Sequence, residues 1–543
     1  MNRDEEVFKL FWKSGRRGAA SALSPEIIMR FFVPIVTLLA VSLSLSPLSC
    51  EAQDALPTLD VVRDFGARGD DGADDTSAFA RLSREVNRRG GGVRVVIPAG
   101  RYLVGGQTSN GRENGQIYRF ASREGLSFQN CSRPIVIEAT GAVVSLPDGM
   151  RFGSFDASGK RVDPAGTTID PHLLASTGAG LRALNCADVR VSGLELDGRN
   201  TTYVLGGAWG DVDRQGYSYG FIFDQCRRVE LSNVSAHNFG LDGIYIKAPG
   251  LRTGDAPRPH ILNNSRFEWN GRQGLSWSGG IGLRATKCSF AHTGYAINER
   301  DGKPISSKPG AGVDIEAEEA VNRDGVFQDC DFFHTRGPAL YCQVGDNADV
   351  AFRGCRFWNF DNYALLPQAP RLSFADCRIY GAAIGAFSSS ERPSDATRFE
   401  RCTFEDKAHP TLGQPYADAY GSLLGFDGLR GGLLFKDCEF LAHRVKGPYV
   451  RHAGGLTTSA FTIDGGSMRL EHFNGPGEGV ATIQGGLVRN FQLESAFGRP
   501  APAGLHIWTD GKTALGQGVG LTGAGVGWGA PGGPAGNLRA TQP

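Results

Sequence analysis

Several carboxylates stand close together in one short stretch of the chain. Residues 311–319 read Ala-Gly-Val-Asp-Ile-Glu-Ala-Glu-Glu, which places Asp314 and Glu316 at positions i and i+2. In a strand these positions share a face, about 6.5 to 7 Å apart. Carboxylates at that spacing repel each other unless a cation or a proton separates them. The pattern therefore predicts a metal site or an acid–base site, with a solvated acidic edge as the alternative.

Two kinds of reaction fit these side chains. In a lyase, a cation neutralises a substrate carboxylate while a base removes the adjacent proton. Ca²⁺ would be held by Asp314, Glu316 and Asp242, and Lys247 would be the base. In a hydrolase, Asp314 and either Glu316 or Asp242 would act as acid and base, at the spacing of inverting enzymes. We favour the lyase, because Lys247 has no role in the hydrolase.

The elements that position these residues belong to a repeated unit. A Cys or Ser, a variable residue and then Phe or Ile recur at 265–267, 288–290, 330–332, 355–357 and 377–379. A repeat of roughly 22 to 25 residues is typical of a solenoid. The alternation within each unit has the period of a strand, and no helical stripe accompanies it. These features predict an all-β fold, a single-stranded right-handed parallel β-helix, with a β-sandwich as the alternative.

Aligning the units predicts which residues share a face. Gly243, Gly274 and Gly312 precede equivalent strands. One outward column would then contain Tyr245, Ser276, Asp314 and Tyr341, and a second Asp224, Lys247, Ser278, Glu316, Gln343 and Gln368. Asp242 and Gln273 would lie on the rim of the same face. Two coils, roughly 10 Å, would separate Lys247 from Glu316. Such a face suits a long polymer, because successive coils can contact successive sugars.

The loops beside this face predict the charge of the polymer. Arg300, Lys303 and Lys308 precede the strand of Asp314, and Trp209 lies in the loop after Gly198. Basic side chains favour an anionic chain, and exposed aromatic rings, including Tyr245 and Tyr341, can stack on sugars. The predicted partner is therefore an acidic polysaccharide. The 57 basic and 57 acidic residues cancel, so charge gives no reason to expect nucleic acid or a membrane surface as partner.

The N-terminal part predicts a cap for the solenoid. Asp75 or Thr76 can begin a helix that runs to Arg88 with one apolar stripe, and the glycines at 90–92 end it before a buried strand at 93–97. A lone amphipathic helix ahead of stacked coils would cover the open edge of the first coil.

This N-terminal segment resembles a known superfamily. Asp64-Phe-Gly-Ala-Arg-Gly-Asp70, Asp74-Asp-Thr76 and Gly91-Gly-Val-Arg-Val-Val-Ile-Pro-Ala-Gly-Arg-Tyr102 are similar to motifs of the pectate-lyase-like β-helix proteins. The resemblance implies the fold but leaves the reaction open, since that superfamily contains lyases, glycoside hydrolases, uronan epimerases and tailspikes. The signature expected of polygalacturonases is not found together here. We therefore expect a polysaccharide lyase, with a glycoside hydrolase, an epimerase or a non-catalytic binding or surface protein as alternatives.

The cysteines are expected to be thiols. An exported protein would ordinarily use them in disulfides, yet most occupy the same inward position of the repeat, next to an inward Phe. There Cys acts as a small apolar residue. We expect Cys288, Cys330, Cys355, Cys377 and Cys402 to form one stacked column.

The ends of the chain predict export and a tail. Residues 1–52 would be a leader whose true start is Met29, with a signal peptide of basic, apolar and small-residue parts at about 29–52. Secretion or a periplasmic location follows, without stable membrane insertion after cleavage. An uncleaved N-terminal anchor is the alternative. Residues 57–498 would form the β-helix domain, and the Gly-, Ala- and Pro-rich residues 499–543 a flexible tail.

Overall fold

The computed structural model describes most of the chain from residue 56 onward. The described residues are 56–113, 115–164, 170–210, 213–343, 345–381, 393–413, 423–427, 433–444, 450–453, 461–470 and the short strands within 480–529. Residues 1–52, and with them the predicted signal peptide, lie outside the described residues. Within the described part, no helix has the length and apolar character needed to cross a membrane.

The chain from Leu56 onward coils into the predicted right-handed parallel β-helix. Each coil passes through two long parallel sheets, named here the site sheet and the long sheet. The eight described strands of the site sheet are Leu126–Gln129, Gly178–Leu184, Ser218–Asp224, Asp242–Lys247, Gln273–Trp277, Ala311–Ile315, Leu340–Cys342 and Leu365–Pro367. Parallel strands joined by crossovers take this hand because strands twist to the right.

The long sheet usually receives two strands from each coil. Its described strands are Thr58–Asp60, Asp70–Asp74, Val93–Val96, Gly100–Leu103, Ile135–Ser145, Val189–Asp197, Val229–Ser232, Ser235–His237, His260–Asn263, Arg266–Glu268, Leu283–Thr286, Ser289–Ala291, Gly325–Gln328, Asp331–Phe333, Val350–Arg353, Arg356–Trp358, Ser373–Ala375, Arg378–Tyr380, Thr397–Glu400, Thr403–Glu405, Leu433–Ala442, Phe461–Leu470, Leu487–Arg489, Gln492–Ser495, Ala514–Leu515 and Gly520–Thr522. In the middle coils a left-handed residue, such as Lys287 (φ 53°) or Asp329 (φ 53°), turns the chain between the two strands.

Three smaller sheets complete the described part. One contains Gln107–Glu113, Gln116–Ser122, Arg151–Ser154, Leu174–Ala175 and Val204–Leu205, with the first two strands forming an antiparallel hairpin. A second contains Gly280–Ile281, Val321–Arg323 and Asp346–Asn347. The third contains Leu424–Asp427, Val450–Ala453, Val480–Ile483, His506–Thr509 and Gly527–Gly529. Short 3-10 helices occur at Asn200–Thr202 and Pro393–Asp395.

The predicted capping helix is confirmed as Thr76–Arg89. Its apolar stripe, Phe79, Leu82 and Val86, is fully buried. Gly90 ends the helix in the left-handed conformation (φ 68°), and the strand Val93–Val96 follows at once.

The predicted cysteine column is also confirmed. Parallel pairing places Asp331 beside Arg356 and Arg356 beside Arg378, so Cys330, Cys355 and Cys377 align on successive coils. The ten described cysteines are free and buried. Inward Phe rings stack beside the thiols, for example Phe332 and Phe357 with centroids 4.4 Å apart. Like apolar groups in register can pack closely, which explains why the repeat keeps Cys and Phe.

The site sheet needs glycine where one coil passes close to the backbone of the next coil. A Cβ on Gly243 would meet the Gly274 carbonyl oxygen at 2.8 Å, and a Cβ on Gly274 would meet the Gly312 oxygen at 2.6 Å. Neither distance leaves room for a methyl group. These glycines align on neighbouring coils as predicted.

The predicted tail, residues 499–543, contains described strands. Strands at His506–Thr509, Ala514–Leu515, Gly520–Thr522 and Gly527–Gly529 pair in parallel with strands before them or with one another. Backbone pairing between neighbouring strands does not need large side chains. The domain boundary at residue 498 stays a prediction.

Candidate functional site

The register of the site sheet brings the predicted outward residues together. Tyr245 pairs with Ser276, Ser276 with Asp314, and Asp314 with Tyr341, which is the first predicted column. Asp224 pairs with Lys247 and begins the second. The alignment of glycines in the sequence therefore gave the correct pairing.

Asp314 lies in the column as predicted but is not an open surface residue. Only 1% of it is exposed. Its Oδ2 accepts a hydrogen bond from Gln273 Nε2, while Oδ1 has no hydrogen-bond partner among the described residues. Burial raises the pKa of Asp314 well above its usual range, and the charge of Glu316 raises it further. The protonated form of Asp314 is thus favoured more than that of an exposed carboxyl group.

Asp242 is buried inside an ion pair and does not lie on an exposed rim. It is fully buried, and Arg272 donates Nε to Oδ1 at 2.8 Å and a terminal nitrogen to Oδ2 at 2.6 Å. Burial raises the pKa of Asp242, and the charge of Arg272 opposes that rise. Arg272 keeps its proton in proteins, so it satisfies both carboxylate oxygens as a fork. Sequence reasoning overlooked Arg272, although it directly precedes the aligned Gln273.

Lys247 pairs with a neighbouring carboxylate. Its Nζ lies 3.1 Å from Asp224 Oδ2, one coil closer to the N-terminus, and the Lys247 side chain is 36% exposed. The ammonium group of Lys247 is therefore already engaged by a carboxylate of the neighbouring coil.

Tyrosines and a further carboxylate complete the site. Tyr245 donates its hydroxyl to Glu318 Oε2 at 3.2 Å, and its ring stacks on Tyr219 with centroids 5.5 Å apart. Tyr341 is half-buried, and burial together with the charge of Asp314 raises its pKa. Tyr245 and Tyr341 therefore flank Asp314 in one line.

The loop before Asp314 presents the predicted basic side chains to solvent. Arg300, Lys303 and Lys308 are all exposed. The loop is fixed to the one after Gly198, because Asn298 Nδ2 donates to the Tyr203 carbonyl at 2.8 Å. Trp209, predicted to stack on sugar, is only 6% exposed.

The carboxylates offer little support for a calcium site. Among the described residues, no three His, Cys, Asp or Glu side chains are arranged to hold a metal ion. Arg272 already occupies both oxygens of Asp242, so Asp314 and Glu316 are left from the predicted set. Calcium usually needs six to eight oxygen ligands. The residues present do not fit Ca²⁺ as predicted, and no step below is routed through it.

Comparison with known proteins adds similarity of shape alone. No protein-family model matches the chain, and no curated protein matches it. The A-module of mannuronan C-5 epimerase AlgE6 from Azotobacter vinelandii is 14% identical, with a TM-score of 0.43, over 87% of this chain and 99% of that one. An exopolygalacturonase from Thermotoga maritima is 12% identical, with a TM-score of 0.34, over 86% and 91%. PfbA, a surface adhesin of Streptococcus pneumoniae, is 11% identical, with a TM-score of 0.36, over 88% and 93%.

These neighbours differ in what they do, and their similarity is too low to transfer an activity. The described strands form a parallel β-helix, and no family is identified for the chain.

Proposed function

We propose that the protein is a carbohydrate-active enzyme that cleaves an anionic, uronate-containing polysaccharide bound along the site sheet. The observation that supports this proposal is the buried Asp314 beside Glu316, because burial and the charge of Glu316 raise the pKa of Asp314 well above its usual range. A carboxyl group that keeps its proton near neutral pH can act as a general acid, and a neighbouring carboxylate can act as the base. The exposed Arg300, Lys303 and Lys308 would attract the anionic chain.

The arrangement favours hydrolysis over elimination. Asp314 would donate its proton to the glycosidic oxygen as the bond to the anomeric carbon breaks. Glu316 would take a proton from the water that attacks that carbon. Asp314 then ends the reaction deprotonated and Glu316 protonated. Elimination with Lys247 as the base is the second candidate. The ion pair of Lys247 with Asp224 makes it the weaker one.

The proposal is tested on purified protein with a panel of acidic polysaccharides, including polygalacturonate and alginate. Hydrolysis releases reducing ends alone, whereas elimination also creates an unsaturated product that absorbs ultraviolet light. Asp314→Asn should lower turnover by about 10²- to 10⁴-fold. The matched control is Asp437→Asn, an exposed position on the long sheet, which should leave turnover unchanged.

Each other outcome has a definite meaning. If the wild-type protein forms a product that absorbs ultraviolet light and Lys247→Ala does not, the protein is a lyase and the proposal of hydrolysis is wrong. Wild-type turnover in Asp314→Asn would overturn the site. Polymer binding without chemical change would indicate a binding protein, and altered uronate stereochemistry in the intact polymer, seen by NMR, would indicate an epimerase. Loss of activity on dialysis against a chelator, restored by Ca²⁺, would revive the calcium prediction.

A further inference from the structure

A second polar site lies at the N-terminal end of the site sheet. A cavity of about 300 Å³ is bounded by the hairpin Gln107–Glu113 and Gln116–Ser122 and by the strands Leu126–Gln129 and Gly178–Leu184. Glu113, Ser122, Glu124 and Arg182 are among the side chains that line it. None of them contributes to the site around Asp314.

Oxygen atoms inside this cavity lack partners. Glu113 is 9% exposed, and its Oε2 accepts a hydrogen bond from the Ser122 backbone nitrogen at 3.2 Å. The other oxygen, Oε1, is buried without a hydrogen-bond partner among the described residues, as are Glu124 Oε1 and Ser122 Oγ. Buried polar atoms are nearly always hydrogen-bonded, so three of them around one cavity point to a ligand that supplies donors.

The charges around the cavity favour hydroxyl groups over a cation as that ligand. Arg182 lies beside the carboxyl groups, with a terminal nitrogen 3.9 Å from Glu124 Oε2, and its positive charge would repel a metal ion. Burial raises the pKa of Glu124 to about 7, which further weakens cation binding. Carboxyl and hydroxyl oxygens that converge on one cavity are suited to the hydroxyl groups of a sugar ring.

The cavity lies on the same sheet as the site around Asp314, and Arg182 and Asp314 occupy aligned positions of that sheet. Pairing places Arg182 beside Ile222, Ile222 beside Tyr245, Tyr245 beside Ser276 and Ser276 beside Asp314. Four coil steps of 4.8 Å separate Arg182 from Asp314, about 19 Å. Tyr217 and Tyr219 line this path, with ring centroids 4.8 Å apart, and Tyr219 stacks on Tyr245.

We propose that this cavity is a remote sugar-binding subsite, which holds one ring of the polysaccharide chain through its hydroxyl groups while Asp314 acts on a bond farther along. The inference rests on the proposed function for its polymer. What it adds to that function is a second contact with the polymer, about 19 Å from the reacting bond. This contact would anchor long chains, and short chains would not reach it.

The experiment measures binding, so that it does not depend on turnover. The full chain is titrated with polygalacturonate, with alginate and with a neutral glucan immobilised on a sensor surface. Glu113→Gln and Glu124→Gln should each weaken binding of the preferred polymer about 2- to 100-fold, the range expected for the loss of one hydrogen bond to a neutral or a charged group. The matched control is Glu439→Gln, an exposed glutamate on the long sheet, which should bind as wild type does.

The variants also separate this inference from the proposed function. Asp314→Asn should keep its binding while it loses turnover, so failure of the catalytic proposal leaves the binding result intact. Wild-type affinity in both pocket variants, or no binding of any polymer by the wild type, would overturn the subsite. If a glutamate variant melts early, Ser122→Ala removes one unpartnered oxygen with a smaller change. If the glutamate variants lose affinity equally for long chains and for disaccharides, the subsite is not remote from the reacting bond and this part of the inference is wrong.

Discussion

The long sheet and the site sheet stack side chains from the same coils in opposite ways. In the long sheet a column repeats one residue type, as in Cys330, Cys355 and Cys377. In the site sheet the residue type changes at each coil, from Tyr245 to Ser276 to Asp314. Apolar groups gain contact when they repeat at the coil spacing, whereas carboxylates that repeat would repel. The uniform column therefore reflects packing, whereas the mixed column places the buried carboxyl group of Asp314 beside other polar side chains.

The largest expected effect tests the uniform column. Phe332→Ala should cost about 3 to 5 kcal/mol of unfolding free energy, because a buried aromatic ring is removed from a stack with Phe357 and Phe290. Phe333→Ala is the control, because this neighbour points outward and is half-buried. Denaturant titration gives both values. Equal costs at the two positions would show that the column has no special part in stability.

A buried histidine in the long sheet should make the stability of the protein depend on pH. His260 is 1% exposed, and burial lowers its pKa to about 4. The unfolded chain binds this proton near pH 6.5 and the folded protein only near pH 4, so stability falls as the pH falls through that window. The contribution is about 3 kcal/mol at most. His260→Leu should remove it.

Unfolding free energies at pH 7 and pH 4.5 check this expectation. The control is His172→Leu at an exposed position, which should keep the pH dependence of the wild type. If His260→Leu is as acid-sensitive as the wild type, the loss of stability originates in other residues.

The contrast between the two sheets also marks the limit of sequence reasoning. The period of two and the aligned glycines predicted the strands, the cysteine column and the pairing of Tyr245 with Ser276 and Asp314. The burial of Asp314 could not be predicted, because it depends on Gln273 reaching across from the neighbouring coil. The cavity at Glu113 was also missed, because it too depends on contacts between residues that are far apart in the sequence. The hairpin and the strands that bound it show no repeat in the sequence.

In the mixed column of the site sheet, Asp314 should make stability depend on pH with the sign opposite to that of His260. Because burial raises the pKa of Asp314, the folded protein binds this proton more tightly than the unfolded chain does. Its stability therefore falls as pH rises above the unfolded pKa of the carboxyl group. Asp314→Asn removes that cost, so the variant should melt at a higher temperature than wild type at pH 7 while it loses turnover.

Thermal melts at pH 4 and pH 7 separate this effect from a general change in packing. The gain in melting temperature should shrink at pH 4, because the unfolded wild-type chain then also binds the proton to a large extent. Asp437→Asn, exposed on the long sheet, should show no such pattern. A lower melting temperature for Asp314→Asn at pH 7 would mean that the carboxyl group stabilises the fold and that its burial is not a cost of function.

The smallest effect concerns the polar link between neighbouring columns of the site sheet. Tyr245→Phe removes the hydroxyl that donates to Glu318 at 3.2 Å and keeps the ring that stacks on Tyr219. The expected cost is about 0.5 to 1.5 kcal/mol, well below that of Phe332→Ala, because one hydrogen bond is lost and no cavity is created. A double-mutant cycle with Glu318→Gln isolates the pair. A coupling energy near zero would show that the two side chains are held by the backbone alone. A clear coupling would show that side-chain bonds between coils organise the site sheet, as ring stacking organises the long sheet.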